Sequence, residues 1–380
     1  MKSKSLGVLA AVTVLAVAAA AWSVWQREQS TRIAAVPASL YPGLAGRVNE
    51  VASVKVAGKG LDFTMQKGPN GDWTIPERGG YPVEFKTVKR IVVGIADMKP
   101  LEAKTAQPAL LGKLGLKAPK EGDKADAKAE GDSDADRHGT RIALAGDDGK
   151  PIAAVIIGKT KSMPSSTREG WYYVRKADSN QSWLVASRLE VGDKISAWLS
   201  GDMPVIKRER MHMVRTEKPN GEVIRIARPD SKARDFKLQD MPEGWKMKYE
   251  TAANALGSAV GFLAFDDVRP ADKVDLSGAT VADYTTFDGL VLTVRIVKRD
   301  DGYWAGFKAR FDPQAVAVDS LPEDQRKDMK SPGEVKKEVG QINKRYGDWA
   351  YLLPDYKGTD FMIARNEIIV PADQAKQPGG

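Results

Sequence analysis

Residues 6–25, LGVLAAVTVLAVAAAAWSVW, run for 20 positions without a charge. At about 1.5 Å per residue, a helix of that length spans roughly 30 Å, the thickness of a bilayer's hydrocarbon core. Lys2 and Lys4 precede the run, and Gln26-Arg27-Glu28 follows it. The positive-inside rule then keeps the short N-terminus in the cytoplasm and sends the rest across. Residues 1–25 therefore read as a single-pass transmembrane helix in the inner (cytoplasmic) membrane. Its anchor residues are Leu6, Val8, Leu9, Leu15, Trp22 and Trp25, with both indoles at the outer interface that aromatic rings favour. The rival reading is a cleaved signal peptide, with Lys2 and Lys4 ahead of the apolar stretch Leu6–Val17 and the alanines at 18–21 at the cut. Both readings make the bulk of the chain periplasmic, or extracytoplasmic in a general sense.

Whatever follows that run folds without cysteine. This excludes disulfides, zinc-thiolate and iron-sulfur centres, a thiol nucleophile and a lipid-modified cysteine. The only histidines are His138 and His212, too few for a histidine-rich metal site. Lys+Arg outnumber Asp+Glu by 58 to 50, a net charge of +8. Removing Lys2 and Lys4 leaves 56 − 50 = +6, spread without a concentrated basic block. Nucleic-acid binders cluster their charge, so no nucleic-acid partner is expected. With 42% hydrophobic and 28% charged residues over 380 positions, the chain can build two or three globular cores.

Beyond a polar linker at 26–39, turn signals and alternating apolar residues mark short strands at Val51–Val56 and Leu61–Gln66, about the Gly58-Lys59-Gly60 turn. Gly68-Pro69-Asn70-Gly71 and Asp72-Trp73-Thr74-Ile75 follow. Phe85, Val88, Ile91, Val92 and Ile95 recur at helical spacing and predict an amphipathic helix. Residues 107–116 read as a further short helix. Residues 117–138 carry seven acidic and five basic residues, with only Ala and Pro as apolar ones, and read as a disordered insert. Strands are expected at Arg141–Ala145, Ile152–Ile157, Tyr172–Arg175 and Ser182–Ala186.

The second half repeats this order. Met211–Thr216 and Val223–Ala227 flank Pro219-Asn220-Gly221, and Asp235-Phe236-Lys237-Leu238 stands where Asp72-Trp73-Thr74-Ile75 stood. A helical face of Ala252, Ala255, Leu256, Ala259, Val260 and Leu263 follows. Each helix leads to a basic-Pro-x-acidic step, Lys99-Pro100-Leu101-Glu102 and Arg269-Pro270-Ala271-Asp272. Asp148-Gly149 and Asp288-Gly289 each turn a hairpin, and Trp171 and Trp304 each open a strand. The expected fold is α+β after the transmembrane helix: an internal duplication of two similar modules, 40–200 and 205–370, each an antiparallel sheet covered by a helix. A helix at about 333–347, Trp349–Leu353 and a strand at Glu367–Val370 complete the second module. A disordered tail, 371–380, ends the chain.

Leu40-Tyr41-Pro42-Gly43-Leu44, then Asp72-Trp73 and Tyr81-Pro82, and the run Ala96-Asp97-Met98-Lys99-Pro100-Leu101-Glu102-Ala103-Lys104-Thr105 resemble the bacterial domain-of-unknown-function family numbered 4340. Trp349-Ala350-Tyr351-Leu352-Leu353-Pro354 fits it too, so the resemblance covers most of 40–370. The resemblance implies a membrane-tethered extracytoplasmic protein of a family often encoded beside ABC-type transport components of the gliding-motility type. It brings no catalytic residues, and the insert at 117–138 departs from the family's shorter connection.

No catalytic, cofactor or metal site is read from the residues. His138 lies in the charged insert, where a histidine reads as solvated, and His212 in an apparent strand, where it reads as a strand-face residue. Asp266-Asp267 and Asp300-Asp301 flank turns, and neighbours on a strand point to opposite faces. Gly68-Pro69-Asn70-Gly71 lacks the Lys-Ser/Thr of a P-loop, so the chain is not itself a transport ATPase. The expectation is a non-enzymatic accessory subunit of an ABC-type transport or surface-assembly system, with the inner membrane and ABC-type transporter components as partners. The alternative is a cell-envelope glycan- or lipid-binding module, with Trp171 and Trp304 as candidate binding aromatics in related sites. A hydrolase with a carboxylate pair is a third reading, for which no spaced pair is identifiable.

Overall fold

A computed structural model describes residues 13, 17, 18, 20–22, 35–119, 137–161, 169–192, 194–199 and 203–373. Of the apolar run, Thr13, Val17, Ala18, Ala20, Ala21 and Trp22 are helical, and Val17 and Trp22 are exposed. Among the described residues no helix is long and apolar enough to cross a membrane. The expected anchor residues Leu6, Val8, Leu9, Leu15 and Trp25 lie outside the described residues, as does most of the insert, 120–136. The protein is α+β, with antiparallel sheets and helices in two compact units, 1–199 and 200–380.

The first unit holds β1 (Ser53–Gly58), β2 (Leu61–Lys67), β3 (Trp73–Ile75), β4 (Tyr81–Val83), helix α1 (Phe85–Ala96), β5 (Lys99–Ala103), β6 (Thr140–Ala145), β7 (Pro151–Lys161), β8 (Gly170–Lys176) and β9 (Ser182–Ser187). They form one sheet in the order β4-β3-β2-β1-β6-β7-β8-β9-β5. Alternation sets the buried face: Val54 and Val56, Phe63 and Met65, Ile142 and Leu144 turn inward, with the less buried Lys55, Thr64 and Ala143 between them. Helix α1 buries Val88, Ile91, Val92 and Ile95, but Phe85 at its first turn is 65% exposed, off the expected apolar face. Ser187 Oγ donates to the Gly94 carbonyl at 2.9 Å, which ties the helix to the end of β9. At Gly94 a Cβ would stand 3.0 Å from the Leu189 Cβ, so a larger residue there would have to push Leu189 aside. The chain then runs to the far edge of the sheet, where Lys99-Pro100, read from sequence as a step, is strand β5. Proline is tolerated there because an edge strand leaves one side of its backbone unpaired.

The other face of this sheet is covered by the chain after β5. Leu111, Leu116 and Ile156 form a small second core, with Leu114, Tyr173 and Ala177 packed against it. Gly158 permits the crossing, since a Cβ there would lie 2.2 Å from the Leu114 carbonyl oxygen. The described ends of the charged insert are pinned together. Lys117 N–H donates to the Arg137 carbonyl, and Gly139 N–H to the Lys117 carbonyl, both at 3.0 Å.

The second unit holds β10 (Met211–Glu217), β11 (Val223–Ala227), β12 (Lys237–Leu238), β13 (Trp245–Met247), helix α2 (Asn254–Ser258), β14 (Asp267–Pro270), β15 (Thr280–Thr286), β16 (Leu290–Arg299), β17 (Gly302–Phe311), helix α3 (Pro332–Tyr346), β18 (Trp349–Leu353), helix α4 (Asp355–Phe361) and β19 (Ile369–Pro371). Its large sheet runs β12-β11-β10-β15-β16-β17-β18-β14. Adding nine to each strand number of the first sheet reproduces this order, except that β13, in the place of β4, pairs with β19 instead. The segment after β14 again covers the second face. Val274, Leu276 and Ala279 of that segment, with Leu352 of β18, pack against Val297, Trp304 and Ala350.

The helices differ between the units. Where the sequence predicts one helix across 252–263, only Asn254–Ser258 is α-helical, flanked by turns, and Ala255 is exposed. Helix α3 runs beside β17, opened by a capping box of Ser331 and Glu334. Strand β18 reaches only as far as Gly306 of β17. Beyond it Asn343 of α3 seals the edge, accepting from Ala309 N–H at 2.7 Å and donating to its carbonyl at 2.8 Å. The tail expected from Pro371 is paired at its start: Pro371 opposes Trp245, and Ala372 N–H donates to the Gly244 carbonyl. Residues 374–380 lie outside the described residues.

Candidate functional site

Each unit carries an apolar groove at the same place in its strand order. In the first unit Val48 and Val51, leading into β1, face Trp73 of β3 and Val88 and Val92 of α1 across about 410 Å³. Exposed Phe85 lines this groove, with Lys67 and Lys89 as its charged residues. In the second unit the segment 205–211, leading into β10, faces Phe236 beside β12 and the chain from Asn254 to Phe262, across about 580 Å³. Both volumes fall in the range of about 300–1,000 Å³ that ligand pockets occupy.

The second groove is built tightly at its floor. Asn254 accepts from Phe236 N–H at 3.0 Å and donates to Asp235 at 2.6 Å, which fixes the aromatic ring under the start of α2. Gly257 rests on that ring, where a Cβ would come within 2.3 Å of Phe236 Cδ2. Below it lies Arg228, 1% exposed, its guanidinium 5.1 Å from the Phe236 ring centre. The hydrogen bonds of Arg228 run to carbonyls, those of Met211, Arg208, Ser231 and Ala233. Burial first and the like charge of Arg208 second push its pKa down from the usual arginine value. In the groove's lining, Phe262 is 92% exposed in a left-handed conformation, φ 52°, and Val205 is also exposed. A bulky residue seldom adopts that conformation, because its Cβ crowds the backbone. Lys207, Arg208 and Lys357 line the groove against a single acid, Glu209. Lys357 Nζ donates to the Gly261 carbonyl at 2.9 Å and stands 3.8 Å from Asp360, whose carboxyl burial pushes up against the pull of that lysine.

The family model described as "Domain of unknown function (DUF4340)" matches residues 73–282, more than half of the 380 residues. The chain belongs to the DUF4340 family. No curated protein and no solved structure matches it. The DUF4340 match runs from Trp73 in the first unit to β15 in the second, and so includes both groove aromatics, Trp73 and Phe236. The Leu40–Leu44 motif lies before the match and the Trp349–Pro354 motif after it. Leu40 and Leu44 are buried, and the Tyr41 hydroxyl donates to the Ala154 carbonyl of β7, so this motif anchors the chain to the sheet.

The candidate aromatics separate. Trp171 is half-buried on β8, with Lys161 Nζ 5.9 Å from its ring centre. Trp304 shares a strand face with exposed Lys308 and Arg310, yet it is 1% exposed. Its Nε1–H donates to Asp301 at 2.8 Å, and the Arg269 guanidinium lies 4.5 Å from its ring. Trp304 offers no open face, so the two tryptophans do not form related sites. The physical reason is the loop before β15, which closes over the indole.

His212 stacks on Phe287, ring centres 4.3 Å apart, and burial first and Arg228 second push its imidazole pKa down. His138 forms a parallel bridge with Lys117. One acid of each pair is engaged in structure: Asp301 holds Trp304 and Arg269, and Asp267 accepts from the Val268 amide. Among the described residues no group of three or more His, Asp or Glu is placed to hold a metal ion. Sequence reasoning missed the grooves. Their one sequence signal is the paired aromatic after each hairpin, Trp73 and Phe236.

Proposed function

We propose that the protein is a non-enzymatic, membrane-held accessory subunit of an ABC-type transport or surface-assembly system, and that its two grooves are the contact surfaces for partners. The observation that carries this reading is the recurrence of an apolar groove at matching places in the two strand orders, each lined by an exposed phenylalanine, Phe85 at the start of α1 and Phe262 after α2. A shape repeated without a catalytic constellation suits binding better than turnover. The uncharged run at 6–25 supplies the membrane placement, and the family resemblance supplies the transporter setting. Affinity purification of the full chain from mildly solubilised membranes tests it. A permease or ATPase subunit should co-purify, and Phe85→Asp with Phe262→Asp should reduce the recovery. Purification without any transport component sinks the reading.

The two units are further read as products of an internal duplication. The shared strand order, the matching grooves and the matching second-face loops support this. An experimental structure with two different strand orders would end it. The alternative of a glycan- or lipid-binding module retains Trp171 of its two candidate aromatics, and exposed Phe85 and Phe262 could serve it as well.

A further inference from the structure

We propose that the groove of the second unit takes one acyl chain of an anionic phospholipid from the adjoining bilayer, with the phosphate held by Lys207 and Arg208. The inference rests on the membrane placement proposed above and makes lipid of that membrane the partner of this groove, leaving the first unit's groove for a protein subunit. Three observations carry it. First, Phe262 and Val205 line the groove and are exposed to solvent, and Phe262 is held there in an unfavourable backbone conformation. An apolar side chain displayed beside cations is the pattern by which proteins enter the headgroup layer. Second, with Lys357 beside Asp360, Lys207 and Arg208 stand against the one acid Glu209 and leave the groove an excess of positive charge. Third, Arg228 buries a further guanidinium under the groove floor and satisfies it with carbonyls rather than a carboxylate. Glu209 and Asp230 lie near enough to temper that charge, but neither is among its hydrogen-bond partners, and the remaining positive potential favours an anion nearby. An acidic peptide would satisfy the charge, but it has no need of the outward-turned Phe262–Val205 pair.

Two features make the test direct. Phe262 is exposed, so replacing it leaves the core untouched, and a benzophenone side chain reports what lies against it. The full chain with p-benzoylphenylalanine in place of Phe262 is reconstituted into bilayer discs of equal phosphatidylglycerol and phosphatidylcholine, irradiated and weighed intact. A phosphatidylglycerol adduct should exceed the phosphatidylcholine adduct severalfold. Lys207→Gln and Arg208→Gln should each lower that excess about fivefold, the worth of one cation at an anionic surface. The same label at Val316, exposed at 40% elsewhere in this unit, should show no lipid preference. Adducts in proportion to lipid abundance, a protein-sized adduct, or no lipid adduct on a disc-bound chain would each overturn the lipid site alone. A folded chain that does not associate with discs at all would overturn the membrane placement, and the lipid site with it.

Discussion

Arg210 and Asp288 meet in the interior of the second unit through two hydrogen bonds, Nε to Oδ2 at 2.7 Å and Nη2 to Oδ1 at 3.0 Å, with both residues at most 2% exposed. The same guanidinium reaches Glu338 of α3 twice, at 2.9 Å each. Asp288 also accepts from Thr286 and from the Lys330 amide. One arginine thus joins the entry to β10, the turn after β15 and helix α3.

Removing one partner of such a pair strands the other charge. Arg210→Met should destabilise the second unit by about 3–5 kcal/mol, and Asp288→Asn by a similar amount. Replacing Arg210, Asp288 and Glu338 together by apolar residues should cost less than Arg210→Met alone, because no buried charge remains. Urea unfolding of the three variants checks the order. An Arg210→Met variant as stable as the parent would mean that the network contributes nothing.

Stability should fall on acidification in two stages. The folded protein holds the His212 imidazole below its usual pKa, so the unfolded chain takes up the proton first. Stability is therefore complete above about pH 6.5 and declines below it. Burial alone would raise the Asp288 carboxyl, but hydrogen bonds from Arg210, Thr286 and the Lys330 amide hold it below the usual carboxylate range. Its contribution is present above about pH 3.9 and lost as pH falls below that toward the folded value. Melting temperature against pH should show both stages, and His212→Gln should flatten the upper one.

Trp304 and Trp171 should respond differently to truncation. Trp304→Ala opens a cavity under the loop before β15 and should cost about 3–5 kcal/mol. Trp171→Ala, at a half-buried position, should cost clearly less. Thermal unfolding compares the two, and an equal loss would place Trp171 in a core.

Two glycine substitutions should have opposite signs. Gly158→Ala forces a Cβ against the Leu114 carbonyl and should destabilise the first unit by more than 1 kcal/mol. Gly333→Ala, in the first turn of α3 with open space around it, should stabilise by about 0.4–1 kcal/mol. Denaturant midpoints read both.

The sequence by itself determined what depends on near neighbours. Alternation placed Val54, Phe63 and Ile142 on buried strand faces, and the spacing of Val88, Ile91, Val92 and Ile95 marked the buried side of α1. Turn residues bounded most strands, because those preferences act within a few positions of the chain. Only the tertiary structure decided what depends on distant segments. It put Lys99-Pro100 and Arg269-Pro270 on edge strands, turned Phe85 out into a groove, and buried Trp304 beneath a loop about thirty residues earlier. It also joined Arg210 to Asp288 and Glu338 across 78 and 128 residues. A local pattern shows that a side chain is apolar or charged. Whether it is covered, paired or left open depends on which remote segment arrives above it.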